Sequence, residues 1–339
     1  MTQPALDFFK KRAILLKQET TEGTDASPTG GSDAFMFFNG SSSTQFDKVE
    51  RALDKSFFGN DPFGVANRRV SIEGEFELWA PTSPGGASNS DAYAKLVLLP
   101  AGMAATKDAV AKTTRYNPVS SAIPSYTGYW HHTGTLVKAL GARANITGLA
   151  MEIGKRFMGK ATVMGNYTDV SEASAPSVTL PTKVPVIATA KNTVCKLSTL
   201  VKGGTSSTAG TPLTDLHLWA KMLSVDFGNE LGHKEYTEKS VNAISERKGT
   251  FSLRIAKTDI TNDFNPWYVR DNGTIITADF SLYEADTKDT LYSTLGIRGQ
   301  IENITPTDID GDYGWEITGP CVPSASGGDD FYILFGDAS

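Results

Sequence analysis

Apolar and polar residues alternate along several stretches of the chain, which is the pattern of half-buried β-strands. In residues 70–79, Val70, Ile72, Phe76 and Leu78 fall on one face, with glutamates between them on the other. The same alternation recurs in residues 143–147, 250–255 and 274–280. Clusters of Gly, Asn, Asp and Pro, as in residues 59–62, 271–273 and 310–312, separate these stretches. The pattern predicts a mainly β protein.

Helical signal is sparse. Residues 88–99 begin with Ser and Asn capping residues, continue into an apolar run, and are followed by Pro100 and Gly102. We expect one short helix there, packed against a sheet.

The Asp-rich segment 308–312 resembles the start of a calcium loop, but loop position twelve is Gly319 rather than glutamate. We expect a tight turn between two strands.

An internal repeat divides the chain. Residues 140–146 and 295–301 share the pattern Leu-Gly-x-Arg-x-(Asn/Gln)-Ile, and each is followed by a later glycine, Gly165 or Gly319. Two further pairs of matched segments lie upstream in the same order. The sequence predicts two copies of one β domain, residues 1–185 and 186–339. The first contains the helix, and the Ser/Ala/Pro-rich stretch 171–185 connects them.

Composition and charge exclude several classes of protein. The 339 residues are 40% hydrophobic and 21% charged, with a net charge of −6, so a strongly basic nucleic-acid-binding surface is not expected. Cys195 and Cys321 lack metal-ligand spacing and favour a reducing compartment. The basic N-terminal segment lacks the apolar core of a secretory signal. The longest apolar stretch, residues 96–105, is too short to cross a membrane.

The two ends of the chain differ in charge. Residues 299–339 hold eight acidic side chains and no basic ones, whereas residues 1–20 are mildly basic. Such a molecule can attract a second copy head to tail, which gives a ring or a filament. Aromatic and aliphatic residues punctuate the acidic segment, so we expect it to be ordered.

Candidate catalytic chemistry is weak. His131 and His132 are adjacent, so on a strand their side chains point to opposite faces and do not readily share a metal. No nucleophile, phosphate-binding or dinucleotide motif occurs. We therefore expect no enzyme, no cofactor and no metal site.

Residues 12–30 closely resemble the opening of major tail tube proteins of long, non-contractile-tailed (siphovirus-type) bacteriophages. The matching positions are Lys17, Glu19, Thr21, Gly23, Thr24, Asp25, Pro28, Thr29 and Gly30. Glu22 stands where that family often has an aromatic residue. The resemblance continues through residues 68–78, 116–120, 140–143, 223–229 and 328–330, and so covers most of the chain.

The resemblance implies a structural virion protein that self-assembles into stacked rings and forms a conduit for the genome. The implied fold is two tandem tail-tube-type β-sandwich or barrel domains with a flanking short helix, an extended N-terminal arm and a long inter-ring loop. Implied partners are other copies of the chain, a tape-measure protein in the lumen, the tail terminator and the distal tail or baseplate proteins. Double-stranded DNA would pass without specific binding, and the tail would be assembled in the bacterial host cytoplasm.

We expect the arm and the loop of residues 38–66 to join one ring to the next. The candidate stacking residues are Lys11, Arg12, Lys17, Phe46, Leu53, Phe57, Phe58 and Phe63, and the acidic segment contributes Asp308, Asp310, Asp312, Asp329 and Asp330. The N-terminal arm and the loop of residues 38–66 should order only in the assembly. Deletion of residues 1–20 should abolish stacking while leaving the subunit folded. Because rings of the family are built around six tube domains, two domains per chain predict a ring of three chains rather than six.

Two other functions remain open at this stage. A ligand-binding, lectin-like β-sandwich would need exposed aromatic residues, and Tyr126, Tyr129 and Trp130 are the candidates. A secreted β hydrolase is the third possibility, although neither a catalytic triad nor a carboxylate pair is visible.

Overall fold

The computed structural model describes residues 12–51, 54, 59–80, 92–179, 185–198, 200–202, 211–213, 216–261 and 263–336. The elements of the first part of the chain are β1 (Arg12–Gln18), β2 (Ala34–Phe35), β3 (Phe38–Val49), β4 (Gly64–Glu77), α1 (Ala92–Leu98), β5 (Met103–Asp108), β6 (Thr113–Pro118), β7 (Tyr126–His132), β8 (Thr135–Glu152), β9 (Met158–Tyr167) and β10 (Ser171–Glu172).

The second part continues the β pattern. Its elements are β11 (Thr193–Ser198), β12 (Leu200–Lys202), β13 (Thr211–Leu213), β14 (Leu216–Leu218), β15 (Ala220–Asp226), β16 (Asn229–Tyr236), β17 (Lys239–Arg247), β18 (Thr250–Ala256), α2 (Pro266–Asp271), β19 (Ile275–Tyr283), β20 (Leu291–Gln300), β21 (Asn303–Ile309), β22 (Asp312–Pro320) and β23 (Phe331–Phe335). The prediction of a mainly β protein is confirmed.

Two large antiparallel sheets hold most strands. The larger follows the order β2-β1-β7-β8-β15-β18-β22-β21, and a branch β3-β4-β9 also joins it at β8. The second follows the order β14-β11-β19-β20-β23-β6-β5. Strands β12 and β13 form a separate hairpin, as do β16 and β17.

The long strand β8 organises the larger sheet. Near its start Val137 lies opposite Trp130 of β7, and near its end Glu152 lies opposite Met222 of β15. Along most of its length it also pairs with β9. A single strand thereby carries the sheet from the first part of the chain into the second.

Strands from residues 1–185 and from residues 186–339 occur in both large sheets. In the larger sheet the junction is β8 with β15, and in the second it is β23 with β6, where Ile333 lies opposite Tyr116. The two parts of the chain therefore complete each other's sheets.

The core follows from the alternation in the sequence. Val70, Ile72, Phe76 and Leu78 have no exposed surface, and they belong to one core cluster that also includes side chains of the second sheet such as Leu295. Burying an apolar side chain of this size stabilises the fold by about 1.5–3 kcal/mol. The inward face of β4 thus holds its register against β9.

Both described helices are short. Helix α1 lies within the predicted stretch 88–99, which confirms a helix there. Helix α2 was not predicted, since residues 88–99 were the only stretch expected to form a helix. Its start is nevertheless encoded: Asn265 caps it by accepting a hydrogen bond from Tyr268 N (3.1 Å), and Pro266 follows as its first residue.

Two predictions about extended segments are wrong. Residues 38–49 and 64–66 of the predicted loop are not loop, because they form β3 and the start of β4, which pair as a hairpin as far as Val49 and Gly64. Residues 12–18 are not part of a free arm, because β1 pairs along its whole length with β7 and buries Ile14, Leu15 and Leu16. Removing residues 1–20 would therefore remove core side chains, so that truncation cannot leave the subunit intact.

The acidic turn of residues 308–312 is the tight hairpin that the sequence predicted. β21 ends at Ile309 and β22 begins at Asp312. Asp310 and Gly311 between them have φ values of 55° and 96°. This left-handed pair matches the right-handed twist of the flanking strands, which is why Asp-Gly suits a two-residue hairpin.

Candidate assembly surfaces

The carboxylate of Glu19 is buried behind the turn that follows β1. Its Oε1 accepts hydrogen bonds from Thr127 Oγ1 (2.9 Å) and Gly141 N (2.8 Å), and its Oε2 accepts one from Gly23 N (2.8 Å). Only 6% of the residue is exposed. A carboxylate is tolerated at such a position because it is hydrogen-bonded throughout. Glu19 therefore fastens the turn to β7 and β8.

Asp25 is the second anchor of the same turn. It accepts hydrogen bonds from Tyr129 Oη (2.5 Å), Lys138 Nζ (2.8 Å) and Ser27 N (2.8 Å). Burial acts to raise the pKa of Asp25, but the hydrogen bonds from Lys138, Tyr129 and Ser27 outweigh it and lower the pKa. The hydrogen bond to Asp25 in turn raises the pKa of Lys138. The cluster keeps both groups charged.

The Pro-Thr-Gly turn holds the connector between the two parts of the chain. Thr29 donates its N–H to Asp33 Oδ2 (2.7 Å), and Gly30 accepts a hydrogen bond from Thr179 N (2.8 Å). A Cβ atom at Gly30 would lie 2.0 Å from the carbonyl oxygen of Ser177. Glycine is therefore required there. Of the matching residues in this opening segment, Glu19, Asp25, Thr29 and Gly30 thus have structural roles in the subunit.

The first hairpin, formed by β3 and β4, extends beyond the sheet. β4 pairs with β9 only from Arg69 onward, whereas its pairing with β3 continues outward to Gly64 opposite Val49. Among the described strands, the outer residues of the hairpin pair only with each other, so their edges could pair with other strands.

Apolar side chains near the end of the first hairpin are exposed. Phe46 and Phe63 are 48% and 47% exposed, and their rings are stacked with centroids 6.2 Å apart and planes 7° apart. Val49 and Val65 are 53% and 42% exposed, and Lys48 Nζ lies 5.0 Å from the Phe63 ring. This cluster is a surface on which a partner would bury apolar area.

The second hairpin, formed by β16 and β17, belongs to neither large sheet. At its base Asn229 Nδ2 donates to the carbonyl oxygens of Ala101 (2.8 Å) and Ala144 (3.1 Å). Further out, Asn242 Nδ2 donates to Asn166 Oδ1 (2.7 Å). Its tip leaves Tyr236 63% exposed. Buried amide side chains therefore fix the hairpin on β8 and β9 while its end remains open.

A polar groove of about 550 Å³ separates the two hairpins. Residues 65–68 line one side, and residues 166–169, Glu235 and Ser240 line the rest. On the neighbouring face of the first hairpin, hydrogen bonds from Asn67 and Arg69 lower the pKa of Asp47. The groove carries both charge signs and no aromatic stacking surface beyond Tyr167.

The acidic segment is folded into the subunit. Asp330 is buried, and its Oδ2 lies 3.7 Å from Arg247 Nε; burial raises the pKa of Asp330 in spite of this cation. Asp329 accepts a hydrogen bond from Ser324 N (2.7 Å). The remaining predicted residues lie on the β21–β22 hairpin: Asp308 accepts from Gly311 N (2.8 Å), Asp310 pairs with Lys221 (2.6 Å), and Asp312 is exposed. The described part of the segment, residues 299–336, is ordered, as predicted.

The predicted stacking residues do not gather in one place. Phe46 and Phe63 lie together on the first hairpin, whereas Arg12 and Lys17 lie on β1. Arg12 donates a hydrogen bond to the carbonyl of Gly40. The other four, Lys11, Leu53, Phe57 and Phe58, lie outside the described residues.

The cysteines and His131, which the sequence raised as possible reactive residues, are buried in the subunit. Burial raises the pKa of both Cys195 and Cys321 to about 12, so neither thiol is poised to react. Burial lowers the pKa of His131, which favours its neutral form. Across the described ranges no group of three or more His, Cys, Asp or Glu side chains is placed to hold a metal ion.

The aromatic residues that a lectin-like site would need are buried. Tyr126, Tyr129 and Trp130 are 2%, 9% and 4% exposed. Tyr126 and Trp130 pack in the core, and the Tyr129 hydroxyl is bonded to Asp25. The prediction that these three form a binding patch is wrong, because Tyr126 and Trp130 are buried in the main core, and Tyr129, on the other face of β7, is buried against Leu15, Ala34 and Leu136.

No protein-family model matches the chain, and no curated protein matches it in sequence. Within the part of the chain that the structure describes, no helix is long and apolar enough to cross a membrane.

Sequence reasoning missed two surfaces. The second hairpin was overlooked because its exposed strands alternate weakly between apolar and polar residues. Trp219 was overlooked because exposure of a single tryptophan leaves no periodic signal. It lies between β14 and β15 and is 86% exposed.

Proposed function

We propose that the protein is a structural subunit that self-assembles head to tail into stacked rings, as the resemblance to tail tube proteins of siphovirus-type bacteriophages implies. The rings would form the phage tail tube, the conduit for genome delivery. The observation that carries the proposal is the first hairpin, with its open edges and the stacked, half-exposed Phe46 and Phe63.

The energetics favour contact at this hairpin. Exposed aromatic pairs are uncommon in a free subunit because water solvates them poorly, and aromatic residues are enriched in protein interfaces. Backbone groups on the open edges could pair with a strand of the next subunit. The second hairpin, with Tyr236 near its tip, offers a further projecting contact.

Strand order supports two tail-tube-type units per chain. β1 pairs with β2 and β7, and β11 pairs with β14 and β19, so each unit opens with the same three-strand arrangement. In each unit a short helix precedes the next strand pair, β7–β8 or β19–β20. Likewise β3-β4-β9 corresponds to β15-β18-β22. The hairpin of β5 and β6 is an addition to the first unit.

Two units per chain imply a ring of three chains with pseudo-six-fold symmetry, if six units close a ring. The net charge of −6 also suits a conduit, since a net negative protein repels phosphate and does not hold it tightly. Partners would be other copies of the chain, a tape-measure protein, the tail terminator and the distal tail or baseplate proteins.

Electron microscopy of the purified protein over a range of concentrations tests the proposal. The wild type should form rings and tubes, and the rotational symmetry of a tube reconstruction gives the number of chains per ring. Phe46→Ser with Phe63→Ser should prevent stacking, while Val110→Ser, which alters a 95% exposed residue in the β5–β6 turn, should not. A wild type that stays monomeric at millimolar concentration contradicts the proposal. True six-fold symmetry contradicts the three-chain ring.

A further inference from the structure

The two units of the chain are joined in the larger sheet by one strand pairing. β8 of the first unit pairs antiparallel with β15 of the second, from Leu149 opposite Val225 to Glu152 opposite Met222. This contact lies within one molecule, and it shows how one unit of this type holds the unit beside it. In a ring of such units, an equivalent contact should join the second unit of one copy to the first unit of the next.

The counterpart of the end of β8 in the second unit is β21. Counted from the repeated Leu-Gly-x-Arg motif at residues 140–143 and 295–298, residues 149–152 of β8 correspond to residues 304–307 of β21. Each strand pairs on one side with the strand that follows it, β8 with β9 and β21 with β22. On the other side β8 meets β15, whereas β21 is the last strand of the larger sheet in the described part of the chain. β21 therefore presents a free edge where β8 has a partner.

The counterpart of β15 in the first unit is β3. Val70 of β4 lies opposite Gly165 of β9, the later glycine of the first repeat. Likewise Phe251 of β18 lies opposite Gly319 of β22, so β4 and β18 hold equivalent positions. β3 pairs with β4 as β15 pairs with β18. β15 is bonded to β8 as well, whereas β4 is the only described partner of β3, so β3 is a second free edge.

The pairing within the chain fixes which residues of the two free edges correspond. At the level of the repeated glycine, the β3 residue is Thr44 and the β15 residue is Val225. Val225 pairs with Leu149 of β8, whose counterpart is Ile304 of β21. The β8–β15 contact therefore serves as a template that places Thr44 of one copy opposite Ile304 of another.

The backbone groups of β21 point in the direction that this pairing needs. In an antiparallel ladder, successive residues bond alternately to the strands on either side. Lys257 N donates to the Tyr313 carbonyl (3.1 Å) in the ladder of β18 and β22, so the odd-numbered residues of β22 bond to β18 and the even-numbered ones bond to β21. The β21 partners of those even-numbered residues are odd-numbered. Ile304, Pro306 and Asp308 therefore turn their backbone groups to the free edge.

The backbone groups of β3 agree with the same pairing. Leu78 N donates to the Phe157 carbonyl (2.9 Å), so the even-numbered residues of β4 bond to β9 and the odd-numbered ones bond to β3. In the part of β3 around Thr44 the partners of those residues are also odd-numbered, so Ser42 and Thr44 turn their backbone groups to the free edge. Thr44 and Ile304, which the template places opposite each other, are thus both oriented for hydrogen bonding between copies.

We propose that β21 of one copy pairs antiparallel with β3 of a second copy, with Ile304 opposite Thr44 and Pro306 opposite Ser42. The two edges differ, so the contact is heterologous and repeats from copy to copy until a ring closes. The proposal rests on the proposed function, because it assigns the contact between neighbouring chains of one ring. The first hairpin continues outward beyond this ladder, so its end stays free for the contact between rings.

The side chains along the proposed ladder are compatible. Ile304 packs partly against the core cluster, and Thr44 is the cross-strand neighbour of the buried Val70. Pairing would extend this face of the sheet with two β-branched residues, which suit a strand. On the other face Ser43 would meet Thr305, and their hydroxyl groups can share a hydrogen bond.

Pro306 limits the strength of the contact. Its counterpart in β8 is Met151, which has a backbone N–H, whereas Pro306 has none. The ladder between copies therefore has one hydrogen bond fewer than its template. An edge proline also discourages pairing with unrelated strands, so it favours the one partner whose register matches.

Disulfide cross-linking tests the pairing and its register. Ser43 and Thr305 are exposed, and the proposed register makes them a non-hydrogen-bonded pair, whose Cα atoms lie about 4.5 Å apart. A disulfide spans that distance. Ser43→Cys and Thr305→Cys are made in separate full chains, which are mixed, allowed to assemble and mildly oxidised. Burial raises the pKa of Cys195 and Cys321 to about 12, so the native thiols do not compete.

Two controls use the same strands. Ser43→Cys mixed with Thr307→Cys places the two thiols diagonally, with Cα atoms about 7–8 Å apart, which a disulfide does not span. Ala150→Cys with Ser224→Cys in one chain joins the residues that lie opposite each other in the template, and it should form a bond within the chain. Circular dichroism and thermal unfolding verify that each variant is folded, and electron microscopy shows whether rings form.

The mixture of Ser43→Cys and Thr305→Cys should give at least about tenfold more cross-linked dimer than the diagonal mixture, because only the first pair lies within disulfide distance. Rings that form without this cross-link overturn the proposed pairing, and equal yields from the two mixtures overturn its register. A chain with Ala150→Cys and Ser224→Cys that forms no internal bond refutes the template. A wild type that never assembles overturns the proposed function instead.

Discussion

Replacing Glu19 by alanine should destabilise the subunit more than any other single removal of a carboxylate in the larger sheet. The substitution leaves Thr127 Oγ1, Gly141 N and Gly23 N without their acceptor in a buried site. A hydrogen bond to a charged group contributes about 1.5–3 kcal/mol, and the three losses are not additive because they share one acceptor. Breaking a buried charged network costs about 3–5 kcal/mol, which is the loss we expect.

Two further variants separate this cause from a general effect of losing a glutamate. Glu19→Gln keeps an acceptor oxygen but turns an amide N–H₂ toward one donor, so the loss should be smaller, about 1–3 kcal/mol. Glu73→Ala removes a 40% exposed carboxylate that lies 3.5 Å from Lys160, and should cost under about 1 kcal/mol.

Urea unfolding followed by tryptophan fluorescence measures these differences, provided that the slope with denaturant is the same for all variants. Hydrogen exchange of the Gly141 amide gives a local readout, since its protection should fall in Glu19→Ala and survive in Glu73→Ala. If Glu19→Ala and Glu73→Ala unfold at the same urea concentration, Glu19 is not the anchor of the turn and the reasoning from its three hydrogen bonds is refuted.

Three other predictions concern a buried carboxyl group, a glycine with positive φ and the two thiols. Burial raises the pKa of Asp330 even though Arg247 opposes the shift. The protonated carboxyl group therefore stabilises the fold fully below the unfolded-state pKa, and this stabilisation is lost as pH rises through the higher folded-state pKa. The melting temperature of the wild type relative to Asp330→Asn should fall over that acidic range, and a constant difference would contradict the prediction. Gly228→Ala should lower the free energy of unfolding by at least about 2 kcal/mol, because φ is 61° and the new Cβ would lie 2.0 Å from the Lys248 carbonyl oxygen. Gly134→Ala, where φ is 82° but the surrounding space is open, should lower it by only about 1–2 kcal/mol. Chemical denaturation measures both changes. Cys195 and Cys321, with pKa values raised to about 12 by burial, should resist a thiol reagent at pH 8 until the protein unfolds, and rapid labelling of the native protein would show that they are accessible.

The sequence predicted the strands whose two faces differ. Val70 to Leu78 alternate because one face of β4 meets the core, and the Asp310-Gly311 turn is readable because few other pairs adopt left-handed φ values. The helix α1 was readable from its flanking cap and proline signals. The local sequence pattern was sufficient to predict β4, the Asp310-Gly311 turn and α1, because neighbouring residues determine these elements.

Other features depended on long-range contacts. Residues 38–49 read as a polar loop because the outer part of β3 is exposed on both faces, so its strand has no apolar side. Tyr126 and Trp130 were interpreted as a possible binding patch because nothing in their own segment shows that side chains distant in the sequence bury them in the core. Trp219 is brought beside the β21–β22 turn by strand pairings between residues far apart in the sequence.

The position of β23 between β20 and β6 has a consequence for synthesis of the chain. The β5–β6 hairpin reaches the second sheet only through β23, so residues 103–118 wait until residue 335 has been made. At roughly 5–20 residues per second, that delay is on the order of ten to forty seconds. During translation the first unit therefore remains incomplete, with an open strand at its edge. An assembly of the proposed kind would therefore be built from subunits whose second sheet is completed only at the end of synthesis.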